Sequence, residues 1–217
     1  MGEDITFIIW LNYWIYKGIS IMGKIFLLMG KSTTGKDTIY KSLIKDEELA
    51  LKMVVLYTTR PMRDGETDGV QYFFKSEEDY QSLKAAKKII EERTYHTNYG
   101  PWRYFTADDG QIDLKTGNYL VIGTLESYCY TRDYFGSENV VPLLIDVDAR
   151  TRLERAMHRE AKQEHPKYDE MCRRFLADEE DFSEEKIAAA GVTKRFFNNA
   201  EIESCIEEIA GYIKSFL

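Results

Sequence analysis

Apolar and polar positions divide this chain into short buried runs separated by polar, helix-spaced stretches. Lys24 to Met29 is an apolar run behind a lysine that stops at Gly30, the pattern of a strand covered on both faces. The segment through Ile39 to Ile44 has helical spacing, and Val54 to Tyr57 predicts a second strand. Gln71 to Lys75, Ile89 to Tyr95 and Trp102 to Thr106 are short runs rich in aromatic and β-branched residues. They sit among turn signals at Asp64-Gly65, Asp68-Gly69 and Gly100-Pro101, so they predict a small separate sheet. Tyr119 to Gly123 and Val140 to Val147 return to the buried-strand pattern. Asp148 to Glu164 and Lys167 to Asp181 predict polar helices joined near Pro166, and Lys194 to Phe197 a last strand. Glu201 to Leu217 predicts an amphipathic helix with Ile202, Ile206, Ile209 and Ile213 on one stripe.

Strands alternating with helices imply an α/β fold with a parallel core sheet between helical layers and right-handed crossovers. Two insertions leave that core: the small sheet at about 58–114 and a charged helical hairpin at about 149–185. The core is then 22–57, 115–148 and 186–217. The chain shows no internal repeat, low-complexity tract or long linker. Residues 5–21 are strongly apolar, but Asn12 and Lys17 interrupt them, and Glu3 and Asp4 precede them. That is short and broken for a membrane span and lacks the basic lead of a signal peptide. Residues 1–21 are expected to be an extension upstream of a natural start at Met22, with an amphipathic surface segment as the alternative. No stable membrane anchor is expected.

The charge balance narrows the partners. A net charge of −8 argues against general nucleic-acid binding. Yet Gly30 to Arg63 holds seven Lys and Arg against four Asp and Glu, and Arg150 to Arg174 holds eight against five. Two basic stretches in an acidic chain predict anions met at a site. Cys129, Cys172 and Cys205, like His96, His158 and His165, show no metal-ligand spacing. The cysteines are expected to be reduced packing residues in a cytoplasmic protein.

Gly30-Lys31-Ser32-Thr33-Thr34-Gly35-Lys36 fits the phosphate-loop pattern G-x-x-x-x-G-K, with a buried strand before it and a helix after it. Glycines let backbone N–H groups turn towards phosphate oxygens, the helix N-terminus adds partial positive charge, and the lysine neutralises phosphate. Gly30 through Thr38 are therefore the expected ATP-binding residues. Asp37 stands where such loops usually carry the Mg²⁺-holding Ser or Thr. Two readings stay open for it: a hard oxygen ligand for Mg²⁺, or an acid complementing the helix dipole.

Residues Thr58-Thr59-Arg60-Pro61-Met62-Arg63-Asp64-Gly65-Glu66-Thr67-Asp68-Gly69-Val70-Gln71-Tyr72-Phe73-Phe74 resemble the guanylate kinase signature T-T-R-x-x-R-x-G-E-x-x-G-x-x-Y-x-F at every fixed position. The resemblance implies a P-loop nucleoside monophosphate kinase with an acceptor-binding subdomain and a helical lid. It implies that Arg60, Arg63 and Tyr72 grip the acceptor phosphate, which suits two guanidiniums and a phenol facing a dianion. It further implies that Glu91 accepts hydrogen bonds from guanine and that Tyr99 touches the acceptor phosphate; a solvated strand glutamate is the other reading of Glu91. The hairpin resembles the family's lid, with Arg155 and Arg159 on one helix face and Arg174 on the second arm as its catalytic arginines beside Lys36. Two departures concern the acceptor base. Leu56 stands where the family usually has a serine, and Val121 to Ser127 replaces an acidic strand end, with Glu126 as the substitute acid. The expected reaction is ATP-dependent phosphorylation of GMP with Mg²⁺. The alternatives are another phosphorylated acceptor, such as a sugar phosphate, or a non-catalytic binding module. Oligomeric state is not legible.

Overall fold

The computed structural model describes residues 22–97 and 100–217. The expectations for residues 1–21 and for Tyr99 lie outside them. Along the chain run β1 (Ile25–Met29), α1 (Lys36–Lys45), β2 (Leu51–Met53), β3 (Tyr57–Thr58), β4 (Phe73–Phe74) and α2 (Glu77–Ala85). Then come β5 (Ile89–Thr97), β6 (Gly100–Ala107), β7 (Asn118–Ile122), α3 (Leu125–Phe135), β8 (Val140–Asp146) and α4 (Ala149–Ala161). Last are α5 (Tyr168–Asp181), α6 (Glu184–Ala189), β9 (Arg195–Phe197) and α7 (Ile202–Lys214).

The core sheet is ordered β2-β7-β1-β8-β9 and is wholly parallel. Its central strand β1 is apolar at all five positions because both faces are covered. Ile25, Leu27 and Met29 pack with Leu125, Tyr128 and Ile187 from α3 and α6. Phe26 and Leu28 pack with Ile39, Leu43, Ile209 and Ile213 from α1 and α7. Alternate side chains of one strand thus bind two helical layers together. No helix among the described residues is long and apolar enough to cross a membrane.

A second sheet, β4-β3-β6-β5, is mixed: β3 runs parallel to β4 and antiparallel to β6. Its own small core is Tyr57, Tyr80, Phe105 and Ala107. One strand expectation needs correction. Val54 to Tyr57 is not a single strand; β2 ends at Met53 in the core sheet and β3 begins at Tyr57 in the small one. Val54 and Leu56 are buried in the crossing between sheets, so the apolar run reports burial rather than extended pairing. Helices α2, α3 and α6, absent from the pattern reading, start at side-chain caps. Ser76 and Asp79 form a reciprocal capping box, Thr124 accepts from the Ser127 amide, and Ser183 from the Lys186 amide.

Candidate active site

The glycine-lysine loop lies between the C-terminal end of β1 and α1. Gly30 has φ 151° and Gly35 has φ 89°, conformations that side chains rarely adopt. A Cβ on Gly30 would fall 2.4 Å from the Ile145 carbonyl oxygen. Thr33 also takes a positive φ, 63°; its hydroxyl donates to the carbonyls of Ser32, at 2.6 Å, and Arg152, at 3.0 Å. Asn198, next to β9, donates to the Thr34 carbonyl at 2.8 Å. The loop is therefore held by α4 and by the residue that follows β9. Within it, Lys36 Nζ donates to the Lys31 carbonyl at 2.7 Å. Burial pushes the Lys36 ammonium down to about 8, against the pull of Asp178 and Asp37. Asp37 and Thr38 are exposed in the first turn of α1.

The α4–α5 hairpin, expected to be a lid, is fastened to this loop by residues that the sequence motifs do not include. Arg152, in α4, has no solvent exposure. Its Nε donates to the Ser32 carbonyl at 3.1 Å, and its two terminal nitrogens pair with Asp178, at 3.2 Å, and Glu179. The Phe175 ring lies 4.5 Å from its guanidinium carbon. Asp178 also accepts the backbone N–H of Ser32 at 2.7 Å, and Glu179 accepts from Lys31 Nζ at 2.6 Å. Two carboxylates of α5 thus occupy donors that the phosphate-loop reading gives to ATP. The expected lid arginines are not among the partners of these carboxylates. Arg155 is half-buried and Arg159 exposed. Arg159 and Arg174 both line a cleft of about 100 Å³ beside Ser32 and Thr33, and Arg174 is paired with Glu170 at 2.7 Å.

The acceptor-side residues lie on the connection between β3 and β4 (Arg60, Arg63 and Tyr72), on β5 (Glu91) and on α3 (Glu126). Arg60 is buried, with its fork on Glu66 at 2.7 and 2.5 Å and its guanidinium carbon 5.2 Å from the Tyr72 ring centre. Hydrogen bonds from Arg60 and from the Arg63 amide hold Glu66 down at about 2. Arg63 is exposed, and among the described residues its side chain enters no ion pair. Tyr72 meets Tyr104 edge-on at 5.6 Å, and burial raises its phenol above the usual range. Glu91 is buried: Oε1 accepts from the Thr106 hydroxyl at 2.9 Å and Oε2 from the Ser127 hydroxyl at 3.1 Å. Glu126 is exposed on the wall of a larger cavity. Successive residues of α3 diverge by about 100°, and Ser127 is the one that reaches Glu91.

Sequence reasoning missed Arg152, Asp178, Glu179, Thr106 and Ser127. Arg152 carried one available signal: it shares an inner helix face with buried Ala156 at i+4, where an arginine requires a buried partner. The partners are 26 and 27 residues away, beyond any local pattern. Among the described residues no group of three His, Cys, Asp or Glu is placed to hold a metal, and the three cysteines are free.

The guanylate kinase family profile matches residues 22–103. The guanylate kinase of Mycoplasma mobile is 44% identical over 77 residues, covering 36% of this chain and 38% of that protein. The guanylate kinase of Neisseria gonorrhoeae is 37% identical over 100 residues, 46% of each chain. The matched part spans less than half the length of these curated relatives. In three dimensions, the guanylate kinase of Anaplasma phagocytophilum superposes with a TM-score of 0.56 at 19% identity, over 89% of this chain and 86% of that one.

Proposed function

From the premise that the chain is a member of the guanylate kinase family, its match carried by residues 22–103, we propose that it transfers the γ-phosphoryl group of ATP to GMP. An oxygen of the acceptor phosphate bonds to the γ-phosphorus, the bond from that phosphorus to the β-phosphate oxygen breaks, and ADP leaves. The observation that supports this most is the division of the chain. A strained glycine-lysine loop follows the central strand, and a separate sheet, with the connection between β3 and β4, carries Arg60, Tyr72 and Glu91. Lys36 and the loop amides bind and neutralise the donor phosphates; Arg60, Arg63 and Tyr72 hold the acceptor phosphate; Arg155, Arg159 and Arg174 close over the transferred group. Glu91 accepts from the base. Asp37 suits Mg²⁺ as a hard oxygen donor exposed beside Lys36, and the ion when bound would neutralise charge on the phosphates. Positioning and charge are all that phosphoryl transfer asks of the protein.

A different phosphorylated acceptor is favoured by one observation: Leu56 is buried in the core and offers a base no polar atom. A coupled assay of ADP formation across a panel of monophosphates separates the two. GMP-dependent ADP formation is the expected result; ATP binding with no GMP-dependent turnover would transfer the assignment to another acceptor. Within that assay Arg63→Ala is expected to weaken all monophosphates alike, and Glu91→Gln to hurt GMP more than AMP.

The pH profile gives an independent check. Lys36 titrates near 8 in the free protein and is charged below that value, so kcat/KM for ATP is expected to fall as pH rises through about 8. Lys36→Arg, which stays charged, is expected to lose that limb even where its rate is low. The stability linkage runs the other way. Holding a charged, desolvated Lys36 costs stability below about 8, and the cost is relieved as pH climbs towards the ordinary lysine value of 10.5.

A further inference from the structure

We propose that Arg93 reads the acceptor base, donating a hydrogen bond to the C6 oxygen of the purine beside Glu91. The inference rests on the acceptor reading above and extends it to a residue outside the matched signature. Glu91, Arg93 and Tyr95 alternate on one face of β5, opposite Thr106, Tyr104 and Trp102 of β6. Tyr104 joins this face to the phosphate grip, since it meets both Tyr72 and Tyr95 edge-on at 5.6 Å. Arg93 and Tyr95 also line a cavity of about 870 Å³ whose opposite wall includes Thr124, Glu126 and Tyr130. That volume is in the range of small-molecule sites.

Arg93 is an incompletely used cation. Its Nε is shut off from solvent and has no hydrogen-bond partner among the described residues. Its charged neighbour, Oε2 of Glu91, is 3.5 Å away, beyond a good hydrogen bond. A buried donor left unmade is costly; Nε itself is out of a ligand's reach, so a shift of the guanidinium towards the cavity it lines would offer the donor to a ligand acceptor. Glu91 is complementary. Thr106 and Ser127 each take one lone pair of its carboxylate, leaving capacity on both oxygens. Arg93 and Glu91 side by side therefore present a donor next to acceptors. Guanine presents the matching edge: an acceptor at C6, then N1–H, then the amine at C2. Adenine places its own amine at C6, so donor would face donor.

The test uses the full chain with Arg93→Met, which keeps length and removes every donor, and Arg93→Lys, which restores one. Steady-state kcat and KM are measured for GMP, for inosine monophosphate, which keeps the C6 oxygen, and for 2-aminopurine riboside monophosphate, which lacks it. Arg93→Met is expected to lower kcat/KM roughly tenfold or more for GMP and inosine monophosphate, the loss of one charge-assisted bond. The 2-aminopurine nucleotide should change by no more than about twofold, and Arg93→Lys should regain part of the difference. An equal loss for all three nucleotides, or none for any, with GMP still phosphorylated by the unaltered protein, overturns the role of Arg93 alone. Failure of the unaltered protein to phosphorylate any of the three overturns the acceptor reading, and this inference with it.

Discussion

Lys36→Met is expected to leave the chain folded and to lower turnover on the order of 10²–10³-fold, the scale of removing one preorganised electrostatic group from a reacting centre. The fold should tolerate the change because Lys36 Nζ makes its hydrogen bond inside its own loop, to the Lys31 carbonyl. The burial that depresses its titration means that the charge costs free energy in the empty protein. Removing it should hold or slightly raise the thermal midpoint while activity collapses. Coupled ADP formation and a melting curve on the same preparation measure both. A folded variant with near-unaltered turnover would remove the phosphate loop from the mechanism.

Arg152→Ala is expected to have the largest effect on stability. It would leave Asp178 and Glu179 facing each other across the space of a side chain that is fully buried. Breaking a buried pair from one side costs about 3–5 kcal/mol. Both partners here keep some contact with water, so about 3 kcal/mol is the expected figure. For a chain of this size each kcal/mol moves the midpoint by roughly 2–4 °C, which puts the drop at roughly 6–12 °C. Arg152→Met, combined with Asp178→Asn and Glu179→Gln, should recover most of it, because the charges leave together. An Arg152→Ala midpoint unchanged within a degree would mean that the lid is not held by this pair.

The parts legible in the sequence were those whose determinants are contiguous. The loop from Gly30 to Lys36 and the run from Thr58 to Phe74 each place a whole motif within a few residues. The buried strands declared themselves because a parallel strand covered on both faces is apolar throughout. Other parts depend on distant neighbours. Val54 and Leu56 are as apolar as β1 yet form no strand, since they are buried in the passage between two sheets. Glu126 was read as a replacement acid from its place in the chain. The helix phase of α3 brings Ser127, one residue on, to Glu91 instead. The lid was read as a pattern of arginines at helical spacing. That pattern picked out Arg155, Arg159 and Arg174, while the carboxylates of α5 that fasten the hairpin to the loop lay inside a segment read only as a polar helix.

Those carboxylates change what nucleotide affinity means here. Asp178 holds the Ser32 amide, and Glu179 holds Lys31; both belong to the same chain as the loop they occupy. A tethered occupant has an effective concentration set by geometry, which dilution does not lower. On the proposed function, ATP would compete with a built-in anion, and its measured dissociation constant would be the intrinsic one divided by the fraction of molecules whose loop is clear. On that reading, loosening α5 by substitutions far from the phosphates would tighten ATP binding without adding a contact to it, and arrival of the nucleotide and release of α5 from the loop would be a single equilibrium.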